Sequence, residues 1–156
     1  MTAVPMTTPG ATVRPARPDD LAAIERLLVA SGLPLDGVPD ALPTFVVAEH
    51  EARLVGVAGL EVCCADALLR SVAVAPEWRS RGLGRALVTR VIADAEARGI
   101  DALYLLTTTA ERYFPSFGFE RIEREQVPAD VRGTAEFRGA CPASATVMRR
   151  EVARRS

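Results

Sequence analysis

The chain contains no lysine: all 19 of its basic residues are arginine. That excludes a Schiff-base lysine and the lysine of a P-loop. It has one histidine, His50, and three cysteines, Cys63, Cys64 and Cys141, with no C-x-x-C spacing. These do not make a usual zinc ligand set, so no metal is expected. An odd cysteine count without paired spacing suits a reduced, cytoplasmic setting. The adjacent Cys63 and Cys64 read as half-buried strand residues, with capture of a soft metalloid ion as the alternative. No apolar run nears the ~18 residues a bilayer span needs, so no membrane partner is expected. The opening "MTAVPMTTPG" has no basic segment followed by an apolar one, and no signal peptide is expected. A formal net charge of -1 argues against a nucleic-acid partner.

What is present suits one globular domain. The 156 residues are 49% hydrophobic and 25% charged, enough for a proper core. The domain is expected over 11–152, with loose ends in the first ten residues and in the tail "ARRS". Thr12–Ala16 reads as a strand. A helix follows, with Asp19 as cap, Leu21, Ile24, Leu27 and Leu28 on one face, and Gly32 as its stop. Pro34, Pro39 and Pro43 forbid one long helix over 33–43 and leave a loop or short turns that could line a cleft. "TFVVAEHEARLVGVAGLEV" and "ALLRSVAVA" read as three consecutive antiparallel strands. Leu83, Leu87, Val91 and Ala95, with Val88 and Ile92, mark an amphipathic helix ending at Gly99. Ala102–Thr107 is then an apolar strand reached by a parallel crossover. Thr108 and Glu111 are spaced as a capping box, with Pro115 ending that helix early. "FERIE" and "SATVMRR" supply final strands. The pattern is α+β: a mixed sheet with helices on its faces.

Between the third strand and the long helix lies "APEWRSRGLGRALV". A helix N-terminus offers unused N–H groups and about half a positive charge, and so favours phosphate. Gly82 and Gly84 let an anion approach the backbone, and Arg79, Arg81 and Arg85 add charge. The segment Arg79–Gly84, R-S-R-G-L-G, fits the R/Q-x-x-G-x-G/A pattern and resembles the GNAT acetyltransferases. "TTTAERYFPSFGFE" resembles the second signature of that family, with Ala110, Gly118 and Phe119 on its motif positions. The resemblance spans about residues 12–150.

The resemblance implies a GNAT fold: a mixed, mostly antiparallel sheet, a splay between two parallel strands, and helices on both faces. It implies acetyl-CoA as co-substrate. The pyrophosphate would lie on Arg79, Ser80, Arg81, Gly82, Leu83, Gly84 and Arg85. The pantetheine arm would pair with the backbone of Val72 and Val74, and Thr107 would touch the cofactor or be a plain strand-end threonine. The implied reaction is attack of an amine on the acetyl thioester, with the Val72 N–H as oxyanion donor. Two family positions are changed. The usual acid, a tyrosine four positions before Gly118, is Phe114 here, which leaves the neighbouring Tyr113 or water. The usual early-strand glutamate is Leu68, which leaves Glu61 as the best base, with Glu49 weaker; either is equally a surface carboxylate beside a hairpin.

Arg70 interrupts an apolar strand and needs a partner. An internal carboxylate such as Glu61 and a substrate carboxylate are both open. Arg138 and Ser144 are further candidates for an anionic substrate, against ordinary structural pairing. "LYLLTTTAERYFPSFGFERIEREQVPAD" is similar to N-acetylglutamate synthase GNAT domains. "ALLRSVAVAPEWR", "LYLLTTTAE" and "CPASA" look closer still to small acetyltransferases of arsenic-resistance operons. These likenesses imply an amino-acid-like or toxic-analogue amine as substrate. Peptide N-terminal acetylation and a non-catalytic acyl-CoA sensor are the alternatives, and a homodimer stays open.

Overall fold

The computed structural model describes residues 7–8, 10–141 and 143–152. The loose ends expected at the two termini lie outside these residues, apart from Thr7 and Thr8, which pair as a strand, and Gly10, which turns the chain. The strands are β1 (Thr7–Thr8), β2 (Ala11–Pro15), β3 (Phe45–His50), β4 (Arg53–Cys63), β5 (Asp66–Val74), β6 (Ala102–Thr107), β7 (Glu120–Ile122) and β8 (Thr146–Glu151). The α-helices are α1 (Leu21–Ala30), α2 (Val38–Ala41), α3 (Leu83–Ala97) and α4 (Ala129–Arg132). Among the described residues the eight strands form one sheet in the order β1-β2-β3-β4-β5-β6-β8-β7. Every pair is antiparallel except β5 with β6, which α3 joins as a parallel crossover.

Side-chain alternation distributes the strands' apolar residues to two faces. Val46 and Ala48 of β3 join the cluster under α3, built on Leu83, Leu87, Val88, Val91 and Ala95. Their neighbours Phe45 and Val47 join the opposite cluster, with Ile24 and Leu28 of α1 and Val38 of α2. A third cluster, around Leu68, Tyr104, Val131 and Val147, extends along β5, β6 and β8. Full burial of each Leu, Ile, Val or Phe side chain contributes about 1.5–3 kcal/mol, so these clusters hold the helices on both faces. Gly59 is needed where it stands: opposite it in register is Phe45, and a Cβ on Gly59 would lie 2.4 Å from that ring.

Two local expectations are corrected. Asp20, not Asp19, stands at the N-cap position of α1, and its carboxylate bonds back to the preceding turn rather than to the helix. Asp20 accepts the Arg17 N–H at 2.7 Å while Arg14 donates to both its oxygens at 2.8 and 3.0 Å. Asp20 is 8% exposed, and the bidentate Arg14 pair makes that burial tolerable. The second correction is Thr108 to Glu111, which starts no α-helix; a 3-10 turn, Phe114–Phe117, follows instead. Thr107 Oγ1 accepts the Ala110 N–H at 2.9 Å, and Glu111 is drawn off by the Thr146 hydroxyl at 2.8 Å. Too few residues separate the end of β6 from Pro115 to nucleate a helix against these contacts.

Candidate active site

The site begins with a fault in β5. Gly59 pairs with Arg70 and Val57 with Ala73, so Ser71 and Val72 together face the single residue Ala58. This β-bulge puts Ser71 at φ 59°, a left-handed conformation that costs a non-glycine residue of order 1 kcal/mol. The Ser71 hydroxyl oxygen accepts the Arg70 Nε–H at 3.1 Å, which helps hold the bulge. On its other side β5 pairs with β6 only at Ala67↔Leu103 and Leu68↔Tyr104. Beyond Leu68 the two parallel strands part. Val72 therefore lies in the bulge and beyond the last β5–β6 pair, on the edge that β6 no longer covers.

A cavity of about 610 Å³ fills the splay, a size suited to a small-molecule site. Its walls are Leu69–Val74 of β5, Leu105–Thr107 of β6, and the start of α3 at Gly82, Gly84 and Arg85. Leu33 and Pro34 of the proline-rich loop also line it, as expected for a loop facing a cleft. At the α3 end Gly82 is the N-cap, with φ 82° and no side-chain cap. The first helical bond runs from the Ala86 N–H to the Gly82 carbonyl at 3.1 Å. The N–H groups of Leu83, Gly84 and Arg85 thus precede any helical acceptor and point out of the helix end. Arg79, Ser80 and Arg85 line the same cavity. Arg85 donates to Ser116 Oγ at 3.2 Å and stacks on Phe117, 4.6 Å to the ring centre. Arg79 Nε donates to the Val74 carbonyl at 3.1 Å, so that carbonyl already has a partner. Arg81 turns elsewhere, its guanidinium over Trp78 at 5.1 Å. Leu83 is buried in the core, leaving only its backbone to the site. Three free N–H groups, two guanidinium groups and a glycine pair form a cradle that fits a CoA pyrophosphate.

Tyr113 and Phe114 both line the cavity, but only Tyr113 brings a hydroxyl there. Its Oη would lie 3.4 Å from a Cβ on Gly84, beside the cradle. Burial pushes the Tyr113 phenol up, opposed by the Arg85 charge. Phe114 turns into the core, edge-on to Phe119 at 5.8 Å. Thr107 lines the cavity while its oxygen serves the Ala110 turn, leaving its O–H to donate.

Arg70 meets the internal carboxylate expected of it, Glu61, and a second one that was not expected, Glu136. Its side chain is 0% exposed, and NH1 donates to Glu61 Oε1 at 2.9 Å. Its Nε lies 3.5 Å from Glu136 Oε2. Its NH2 is buried with no partner among the described residues, and Arg70 lines the cavity. Glu61 itself is absent from the cavity wall and faces a shallow groove with Gly37 and Thr44. Glu49 is engaged with Arg14 at 3.2 Å on β3. Arg138 and Ser144 are exposed and line no part of the cavity.

Two titratable lining residues escape a reading of the sequence: Glu136 and Cys141. Both lie in "GTAEFRGACPASA", which has no helical or strand period. The Cys141 N–H donates to the Glu136 carbonyl at 3.1 Å, and the thiol lies beside the Glu136 side chain. Burial pushes the Glu136 carboxyl above its usual range; Arg70 and Cys141 oppose that rise and Glu61 adds to it. The only local signal was a lone acid between Ala135 and Phe137.

The acetyltransferase (GNAT) domain family matches residues 42–121. The chain is 33% identical over 129 residues to an amino-acid acetyltransferase of Mycobacterium tuberculosis, spanning 76% of this chain and 74% of that protein. It overlays the N-acetylglutamate synthase of Neisseria gonorrhoeae, solved with coenzyme A and N-acetyl-glutamate, at a TM-score of 0.79 and 25% identity. That match covers 92% of this chain but 35% of the longer synthase. A Mycobacterium tuberculosis protein solved with CoA and NLQ overlays at 0.78 with 28% identity, covering 91% of this chain and 99% of that one. With its bulged strand, its splay and its arginine-glycine helix start, the chain belongs to the GNAT family of N-acetyltransferases.

Proposed function

We propose that this enzyme transfers the acetyl group of acetyl-CoA to the α-amino group of a small amino-acid-like substrate. The observation that carries the reading is Arg70: a guanidinium at the cavity wall, with its NH2 buried and unpartnered. An unsatisfied buried donor on a charged group is costly, and a substrate carboxylate would relieve it. Such a contact contributes about 1.5–3 kcal/mol, roughly 10- to 150-fold in affinity. The likeness to proteins named amino-acid acetyltransferase supports the same substrate class.

Bound acetyl-CoA supplies a thioester whose carbonyl carbon accepts the amine. The N–H groups at the start of α3, with Arg79 and Arg85, hold the phosphates. The edge of β5 at Val72 and Val74, which β6 no longer covers, orients the arm, and the Val72 N–H donates to the developing oxyanion. Thr107 donates its hydroxyl to the cofactor from the end of β6. Tyr113 is the proton donor within reach of the cavity for the leaving sulfur. Leu33 and Pro34 bring the proline-rich loop to the cavity wall, which supports a small amine over a peptide. A cytoplasmic, detoxifying role is in keeping with the likeness to arsenic-resistance acetyltransferases.

The test is CoA-thiol release from acetyl-CoA over a panel of free amino acids, arsenic- and phosphorus-bearing analogues, polyamines and peptides. Turnover confined to carboxylate-bearing amines is expected. Peptides outperforming every free amino acid would move the activity to N-terminal acetylation. Acetyl-CoA binding without release on any amine would make this a sensor.

A further inference from the structure

We propose that Glu136 takes the proton from the substrate's ammonium group, so that Arg70 and Glu136 together read the two charges of a zwitterionic substrate. The inference rests on the amino-acid reading above and assigns a base to it.

Geometry carries the assignment. Among the described residues lining the cavity, Glu136 is the one carboxylate, and no histidine lines it. Glu61 is tied to Arg70 NH1 at 2.9 Å and faces a different groove. Glu136 lies 3.5 Å from Arg70 Nε, and its side chain is 5% exposed. The two residues therefore present adjoining opposite charges to one pocket, with Arg70 NH2 still free on the cationic side. An α-amino acid carries its own opposite charges one carbon apart. A carboxylate on Arg70 NH2 would leave the ammonium close to Glu136.

The chemistry of the pocket fits a base. A carboxyl above its usual range accepts a proton near neutral pH more readily than an ordinary glutamate does. Three groups face Glu136: Arg70 from β5, Glu61 from β4 and Cys141 from the same irregular segment. Arg70 and Cys141 oppose the rise, and Glu61 adds to it. The step is a proton transfer alone. One ammonium N–H bond breaks, its electron pair stays on nitrogen as the attacking lone pair, and the proton passes to a Glu136 oxygen. Glu136 returns it to solvent through the cavity mouth.

Glu136→Gln tests this on the full chain. A 100-fold or greater fall in kcat is expected at neutral pH, because a positioned base contributes typically 10²–10⁴-fold. The acid limb of the kcat/KM profile should vanish, with activity rising instead as the free amine fraction grows towards alkaline pH. Acetyl-CoA affinity, read from Trp78 fluorescence, should stay within about twofold of wild type. An unchanged pH profile beside intact amino-acid turnover in wild type would overturn the role of Glu136 and leave the amino-acid reading standing. Failure of wild type on every amino acid would sink both. A binding measurement tests the same claim without turnover. With [δ-13C]glutamate labelling, the signal missing from Glu136→Gln should titrate above most others, and adding a turned-over amino acid should lower its midpoint. No movement of that midpoint contradicts the proposal. Should the glutamine variant not fold, Glu136→Asp decides: a shifted acid limb with lower kcat supports the base, and an unshifted limb overturns it.

Discussion

Replacing Arg85 by methionine should weaken acetyl-CoA binding about tenfold. Methionine keeps the apolar stem and removes the charge. The guanidinium is fixed over Phe117 at 4.6 Å and tethered to Ser116 at 3.2 Å, so it is pre-organised for a phosphate at the cavity wall. A charge-assisted phosphate contact contributes about 1.5–3 kcal/mol when shielded. Arg85 is exposed, so solvent and salt screen it towards the low end, roughly tenfold in Kd near 0.1 M salt. The assay is quenching of Trp78, the protein's one tryptophan, which lines the same cavity. S-acetylpantetheine, which lacks the phosphates, is the control ligand. Its affinity should hardly change, and the salt dependence of acetyl-CoA binding should flatten. Lost stacking on Phe117 should lower Tm by about 1–4 °C, from ~0.5–1 kcal/mol. Equal weakening of both ligands, or an unchanged Kd with an unchanged salt slope, would refute the cradle.

Three further outcomes follow from the fold. Gly59→Ala places a methyl 2.4 Å from the Phe45 ring; overpacking of about 1–3 kcal/mol should lower Tm by several degrees, and adding Phe45→Leu should recover part of it. Equal Tm for Gly59→Ala and wild type would contradict the packing. Asp20→Asn should destabilise the protein by about 2 kcal/mol at neutral pH. The Arg14 guanidinium holds the Asp20 carboxyl below its usual range, so its contribution is present above that range and lost as pH falls. Urea melts should show the gap closing in acid, and a pH-independent gap would count against the pair. In thiol modification at pH 8, exposed Cys64 should react first. Burial pushes Cys63 up to about 12 and Cys141 up to about 11, which keeps both as slow thiols. A fast Cys63 would contradict that burial.

What the sequence discloses follows how local each signal is. Alternation in Phe45–Cys63 and the three-four spacing in Leu83–Ala95 are properties of single segments, and both elements form as read. The cradle was legible because glycines, arginines and a helix start are contiguous. The Thr108–Glu111 capping box fails since its partners are taken by residues distant in sequence: Glu111 goes to Thr146 on β8. Arg70 could be flagged as a buried charge but not resolved, because its guanidinium divides between Glu61, Glu136 and a buried NH2 without a partner among the described residues. Glu136 was invisible for a related reason. It sits in an aperiodic segment and acquires its environment only when that segment folds over β5.

The most direct test compares matched pairs: an amino acid and its carboxamide, each with wild type and Arg70→Lys, in steady-state CoA-thiol release. The account predicts that wild type favours the carboxylate by roughly 10- to 150-fold in kcat/KM. Lysine keeps the charge but loses the second donor, so this preference should collapse while acetyl-CoA affinity holds. Equal rates on acid and amide in wild type, or an undiminished preference in Arg70→Lys, would contradict an amino-acid acetyltransferase built around Arg70.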